Sequence, residues 1–292
     1  MAGFSPQYPL WTDGAQKQRW LYLPPGSFID ASKPDAWSFP AGTRLWKQFS
    51  YDGKPVETRY IEKKRDGTWR FATYIWNADG SSATLAPDKE TTVTIAAVPG
   101  GRYTIPSRRD CMACHGSAPV PVLGLSAVQL SPDRDPMAPG ASPISEQNLR
   151  TLAARGWLKG LPKTLLEQPP RIVANTPVER AALGYLHGNC SHCHNTSKSK
   201  VPLSLTLAQR AADPAASRQE VLDSTVEQRG RYGRSDSSSA EAIVKPGRPD
   251  SSLLIERMRS RQMQTQMPPL GTHLPDPQAL DLLSRWIGDM KH

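Results

Sequence analysis

All four cysteines of the 292-residue chain lie in two short motifs, Cys111-Met112-Ala113-Cys114-His115 and Cys190-Ser191-His192-Cys193-His194. C-x-x-C-H is the spacing by which c-type haem is attached. Two thiols add across the vinyl groups of the porphyrin, and the histidine that follows gives a nitrogen to iron. One turn of helix sets both sulfurs along one porphyrin edge and swings the adjacent imidazole beneath the metal. Cys111, Cys114, Cys190 and Cys193 are therefore expected to hold two covalent haem c groups, with His115 and His194 as the proximal iron ligands. The plainer readings fit less well. Zinc-binding pairs usually lie much closer than the 79 residues (190 − 111) found here. Neither pair has the strand–helix context of a redox dithiol, and neither alternative gives the repeated histidine a role.

Composition bounds what can surround such sites. No apolar run approaches the roughly 18 residues that a membrane span needs. The beginning, Met1-Ala2-Gly3-Phe4-Ser5-Pro6, lacks the basic and apolar regions of a secretory signal. Haem attachment of this kind normally takes place outside the bacterial cytoplasm, so the expectation is a periplasmic protein whose signal peptide was removed or replaced by Met1. The 28 prolines are about twice the average usage, which suits irregular chain wrapping a large prosthetic group. A formal charge of +9 admits nucleic acid, an anionic membrane face or an acidic protein. No run of five basic residues and no nucleic-acid motif occurs. A basic redox protein steering onto an acidic redox partner is the better reading.

Residues 1–100 read as β-rich. Asp52-Gly53, Asp66-Gly67 and Asp79-Gly80 punctuate the runs Thr43–Tyr51, Val56–Lys63, Thr68–Trp76 and Thr91–Val98. Six of the eight tryptophans precede residue 80, and the simplest expectation is that they build the core of this sheet. The segment holds no histidine or cysteine, and Met1 is its only methionine, so it offers iron almost nothing. The first motif follows directly. Arg108 and Arg109 beside it are equally readable as propionate partners or as a solvated loop. A helix is expected over Ser145–Arg155 in the proline-rich stretch beyond His115, where Met137 is the only methionine.

A second unit begins near residue 175. Thr176-Pro177-Val178-Glu179 reads as a helix cap with proline in the first turn, and Asp276-Pro277 opens another helix over Gln278–Met290 with an apolar stripe. Shorter helices are expected near 205–223 and at Ser252–Met258. A first and a last helix crossing through Gly184 would resemble the class I cytochrome c fold. The fold expectation is thus α+β: residues 1–174 a β-rich domain with the first haem site (haem segment about 101–174), and residues 175–292 an all-α, class I cytochrome c-like domain with the second. Met267-Pro268-Pro269-Leu270-Gly271 resembles the methionine loop of those cytochromes, which implies Met267 as distal ligand of the second haem. The first haem has several candidates: Met137, a histidine reaching across (His187, His192 or His273), or no protein ligand. A sheet followed by C-x-x-C-H loosely resembles the cytochrome c-prime-beta group and its lysine-crosslinked relatives, in which the haem can be five-coordinate. That resemblance draws attention to Lys47, for which the ordinary expectation is a solvent-facing strand lysine.

Pro9-Leu10-Trp11-Thr12-Asp13-Gly14-Ala15, Val56-Glu57-Thr58-Arg59, Tyr103-Thr104-Ile105-Pro106-Ser107 and Leu186-His187-Gly188-Asn189-Cys190, with the Met267 loop, resemble a family of bacterial dihaem c-type cytochromes with a β-rich beginning. The resemblance implies a periplasmic protein carrying electrons from a donor, such as a dehydrogenase, to an acceptor cytochrome or oxidase. Two other classes stay open: a haem enzyme (a peroxidase or small-molecule oxidase) acting at an open first haem, and a sensor or docking module.

Overall fold

Alternating side chains and tight aspartate–glycine turns make the first third of the chain a sheet. The computed structural model describes residues 1–96, 98–142, 145–197, 203–230 and 242–291. Its first strands are β1 (Ala2–Gly3), β2 (Gln16–Tyr22), β3 (Ile29–Asp30), β4 (Arg44–Tyr51), β5 (Lys54–Lys63), β6 (Trp69–Trp76) and β7 (Ala83–Leu85). All but β3 form one antiparallel sheet in the order β1-β2-β4-β5-β6-β7. Between β4 and β5 both turn residues are left-handed, Asp52 at φ 47° and Gly53 at φ 75°. That turn matches the twist of the flanking strands.

The tryptophans do not build the core as expected. Trp37 alone among the first six is fully buried. Trp20 and Trp46 stand in register with Tyr60 on the sheet's other face, half-exposed, with Trp46 and Tyr60 rings 5.5 Å apart. The period-2 rule puts residues 20, 46 and 60 opposite the buried Leu21 and Leu45 and the partly buried Ile61, so the larger rings fell on the side that solvent reaches.

After the sheet come the hairpin β8 (Thr91–Thr94) and β9 (Arg102–Ile105), α1 (Arg108–His115), α2 (Leu149–Ala154), β10 (Leu158–Lys159), α3 (Lys163–Glu167), α4 (Pro177–Asn189), α5 (Pro214–Thr225), α6 (Leu253–Arg259) and α7 (Pro277–Gly288). The hairpin closes one end of the sheet's inner face, where Phe49, Tyr51, Tyr103 and Ile105 form a small core. The main core is larger and continuous. It joins Phe4, Tyr8, Leu21 and Leu45 to Leu149, Leu183, Val221, Ile255 and Trp286.

That continuity corrects the expectation of an all-α, class I cytochrome c-like domain over residues 175–292. The described chain is mixed α and β, with a six-stranded antiparallel sheet and seven α-helices. Helices α4 and α7 do pack together. Yet α4 is buried on every side from Glu179 to Leu186, the pattern of a helix enclosed by its surroundings rather than one presenting a single stripe to a partner. Gly184 does not serve a helix crossing. A Cβ there would lie 1.9 Å from the ring of Tyr8, and one at Gly188 would lie 2.3 Å from the Tyr8 carbonyl oxygen. The N-terminal segment therefore occupies the groove of α4. Tyr8 donates to Asp135 (3.1 Å), whose carboxylate also faces buried Arg180 at 3.7 Å. Short bridges, Val226 with Val244 and Arg229 with Ala242, add β character to the C-terminal part.

Of the smaller helix expectations, Ser145–Arg155 is realised as the shorter α2, capped by Asn148. Ile144, the apolar residue just before that stretch, lies outside the described residues. Among the described residues no helix is long and apolar enough to cross a membrane.

Candidate functional site

Strand β9 delivers the chain to Ser107, which caps α1 reciprocally with Asp110: the Asp110 N–H donates to the serine Oγ at 3.3 Å, and the Ser107 N–H donates to the carboxylate at 2.9 Å. This fixes a two-turn helix whose final residues are Cys111, Cys114 and His115. Both thiols are half-buried. The His115 ring lies 5.1 Å from the Phe71 ring of β6, so α1 is seated against the sheet. Its Nδ1 is 2.6 Å from the Pro121 carbonyl oxygen. A carbonyl only accepts, so Nδ1 carries the proton and Nε2 keeps its lone pair. Burial pulls the His115 pKa down to about 4, with the charges of Lys47 and Arg59 acting in the same direction. The result is a neutral, oriented imidazole.

The second motif continues from α4 as one further turn. The N–H groups of Cys193 and His194 both donate to the Cys190 carbonyl, at 3.1 and 2.9 Å. Asn189 anchors the turn, accepting from Trp11 N–H at 2.7 Å and donating to the Tyr185 carbonyl at 3.1 Å. Burial pushes the Cys190 thiol up to about 12. His194 differs from His115: its Nδ1 is buried and has no hydrogen-bond partner among the described residues.

The two motifs, 79 residues apart in sequence, are neighbours in space. Asn195, just past the second, donates to the Ser117 carbonyl just past the first at 3.1 Å. Cys114 Sγ, Cys193 Sγ and a ring nitrogen of His192 all lie within 4.8 Å of one another. The hydrogen bond between the thiols separates their acidities, raising Cys114 as donor and lowering Cys193 as acceptor. Nothing in the sequence pattern foretells this juxtaposition, because it depends on where β6 seats α1 and where the N-terminal segment seats α4.

The expected distal ligands are dispersed. Met267 is half-buried in the loop between α6 and α7, its N–H donating to the Arg257 carbonyl at 2.8 Å. Arg257 is close enough for its charge to depress the His194 pKa, after the larger effect of burial. The Met267 loop thus hangs from the turn that approaches the second motif. Met137 lines a cleft of about 520 Å³ with Ala138, Pro277, Leu282 and Arg285, and no residue of the first motif shares that cleft. His187 is poorly presented as a ligand. Its Nδ1 accepts from the Gln209 N–H at 3.0 Å, which leaves the proton on Nε2, and burial lowers its pKa to about 4. His273 is mostly exposed and rests on Asp13 at 3.2 Å. Arg108 and Arg109 are exposed, Arg108 pairing with Asp88 at 3.4 Å.

Lys47 is not the solvent-facing strand lysine expected. It lies on the sheet's inner face, 4.9 Å above the Phe49 ring, and desolvation depresses its pKa strongly. Arg19 and Arg59 flank it in register. Comparison with protein-family models, with curated proteins and with solved structures produced no match in any of the three.

Proposed function

We propose that this chain is a periplasmic dihaem c-type cytochrome that passes electrons between a donor protein and an acceptor cytochrome or oxidase. The observation that carries the reading is the pairing of two C-x-x-C-H turns, each on or directly after a helix, with the His115 imidazole already held by a carbonyl at 2.6 Å. Metal-bound histidines characteristically donate their other ring N–H to such an oxygen, which fixes the tautomer and makes the ligand more basic. The donor set fits haem c at both places: two half-buried thiols and a following imidazole.

Haem bound at these residues would supply reversible one-electron chemistry at iron. The protein's part is attachment, orientation and dielectric. Cys111 and Cys114 would fix one porphyrin edge to α1, and Phe71 limits rotation of His115 beneath it. Cys190 and Cys193 would fix the second. Because Cys114 and Cys193 are neighbours, the two attached edges would start from adjacent sulfurs, which favours electron passage within one chain. Met267 is the proposed distal ligand at the second site, where a thioether raises the potential relative to a second nitrogen. A basic surface steering an acidic redox partner completes the proposal.

Met267→Ala is expected to convert one haem from low to high spin, seen in the ferric optical and EPR spectra, while haem content stays constant. An unchanged spectrum removes Met267 from iron. Carbon monoxide added to the reduced parent protein separates carrier from enzyme: ready binding at one haem identifies an open iron and favours catalysis there.

A second reading has its own observation. Cys114, Cys193 and His192 are a nitrogen–sulfur set of the kind zinc takes, short of a fourth ligand. Metal analysis of the isolated protein decides between them, since zinc at one per chain without haem absorbance would replace the cytochrome reading.

A further inference from the structure

The inner face of the sheet carries charge at positions where a packed face normally carries none. Arg19 of β2, Lys47 of β4 and Arg59 of β5 are direct cross-strand neighbours, Arg19 opposite Lys47 and Lys47 opposite Arg59. Like charges in that relation repel and destabilise a sheet. Lys17 adds a fourth cation in the adjacent row, opposite Phe49. Three of the four crowd one ring: Lys17, Lys47 and Arg59 lie 6.0, 4.9 and 4.3 Å from the Phe49 centroid.

The compensation within the fold is incomplete. Glu57 takes Arg59 at 2.6 Å and also accepts from the Tyr103 hydroxyl at 2.6 Å. Lys17 donates to the Ala15 carbonyl at 2.9 Å. Arg19 is only 9 % exposed, and among the described residues no carboxylate lies within ion-pair distance of it or of Lys47. One aromatic face contributes about 1–2 kcal/mol per cation at best, far below the several kcal/mol that an unpaired buried ion costs. A guanidinium cannot escape by losing its proton. An anion is the missing component, and the first motif stands beside the row: the charges of Lys47 and Arg59 both reach His115, and that of Arg59 reaches Cys111.

We propose that Arg19, Lys47 and Arg59 form a binding site for a carboxylate or similar small oxyanion, set in the sheet beside the Cys111–His115 turn. The Arg19 guanidinium fork suits the two oxygens of such a group, Lys47 beside it adds a point charge, and Arg59, whose Nε and Nη2 already hold Glu57, adds to the positive field. The carboxylate has two possible sources: a propionate of a haem attached at Cys111 and Cys114, or a free carboxylate from solution. Only the first source rests on the proposed haem function; the site itself rests on the sheet.

The full-length protein, isolated from cells equipped for haem attachment, is titrated with sodium acetate against sodium chloride at matched ionic strength while its thermal midpoint is followed. A free-carboxylate site gives a saturable rise with acetate alone, and Lys47→Met and Arg19→Leu each weaken the apparent affinity at least tenfold, while Lys47→Arg retains it. A haem-borne carboxylate gives no acetate response in the parent; instead both charge-removing variants lower the reduction potential of one haem, since a lost cation favours the ferric state. No acetate response together with unmoved potentials overturns the proposal. If the isolated protein shows no haem absorbance, the haem reading fails separately, and the acetate titration alone decides the site.

Discussion

Replacing Cys111 and Cys114 together by alanine is expected to remove one haem of two, and replacing Cys190 and Cys193 is expected to remove the other. On the proposed function each pair would supply both thioether bonds of its site, so no partial attachment would remain once both sulfurs are gone. The readouts are pyridine haemochrome absorbance per chain and the mass of the denatured protein, which retains only covalently bound groups. His115→Ala is the control that separates attachment from ligation: both thiols persist, so haem content holds while the spectrum of that haem changes. The contrast has a structural basis, because His115 is fixed through Pro121 independently of the cysteines. Haem content that is unchanged in either cysteine-pair variant sinks the assignment for that site. Zinc in the parent protein, lost on replacing His192 or Cys193, would instead assign the Cys114–His192–Cys193 cluster as a metal centre.

What could be read in advance follows the range of the interactions concerned. The strands 44–51, 54–63 and 69–76 were legible because aspartate–glycine turns and alternation are local. Strand β2 was not, although it stands between β1 and β4. Its inward residues Lys17 and Arg19 give it polar side chains on both faces, so no alternation exists to find. One of them, Arg19, is also a cation that no carboxylate pairs among the described residues. Where pattern-reading fails on a strand, function or strain is the usual reason. The four cysteines of the two motifs and the histidine that ends each were legible as types and spacing, whereas the contact between the two motifs was not.

The error over the C-terminal part has the same origin. Helices α4 and α7 were legible from their caps: Thr176 accepts from the Glu179 N–H at 3.0 Å, and Asp276 accepts from the Ala279 N–H at 3.1 Å. Their environment was not. The run Ala181-Ala182-Leu183-Gly184-Tyr185-Leu186 is apolar on every side, which identifies a buried helix without naming what buries it. The occupant is a proline-rich segment, Pro6 to Pro9, that carries no periodic signal of its own. Likewise, the net charge of +9 is not wholly a surface property. Part of it lies on the sheet's inner face, so the field offered to a docking partner is weaker than the sequence total implies.

Gly184→Ala puts the altered account of α4 to its most direct test. By helix propensity alone alanine should stabilise α4 by about 1 kcal/mol. The geometry predicts the opposite sign. A Cβ would sit 1.9, 2.3 and 2.4 Å from three atoms of the Tyr8 ring, and that ring is held by the Asp135 hydrogen bond and by buried surroundings. Overpacking of this severity costs about 3 kcal/mol or more, so the expected net effect is a fall in thermal midpoint of roughly 3–5 °C for a chain of this length. Trimming the obstacle should restore part of the loss. Tyr8→Leu is destabilising alone, because it deletes a buried ring and its hydrogen bond to Asp135, leaving that carboxylate to the Met137 N–H and Arg180. In the double variant, however, the alanine methyl gains room, and the two costs should fall short of additive by more than 1 kcal/mol. Strict additivity would mean that another element, such as α7, lies over Gly184. A stabilised Gly184→Ala would mean that nothing does.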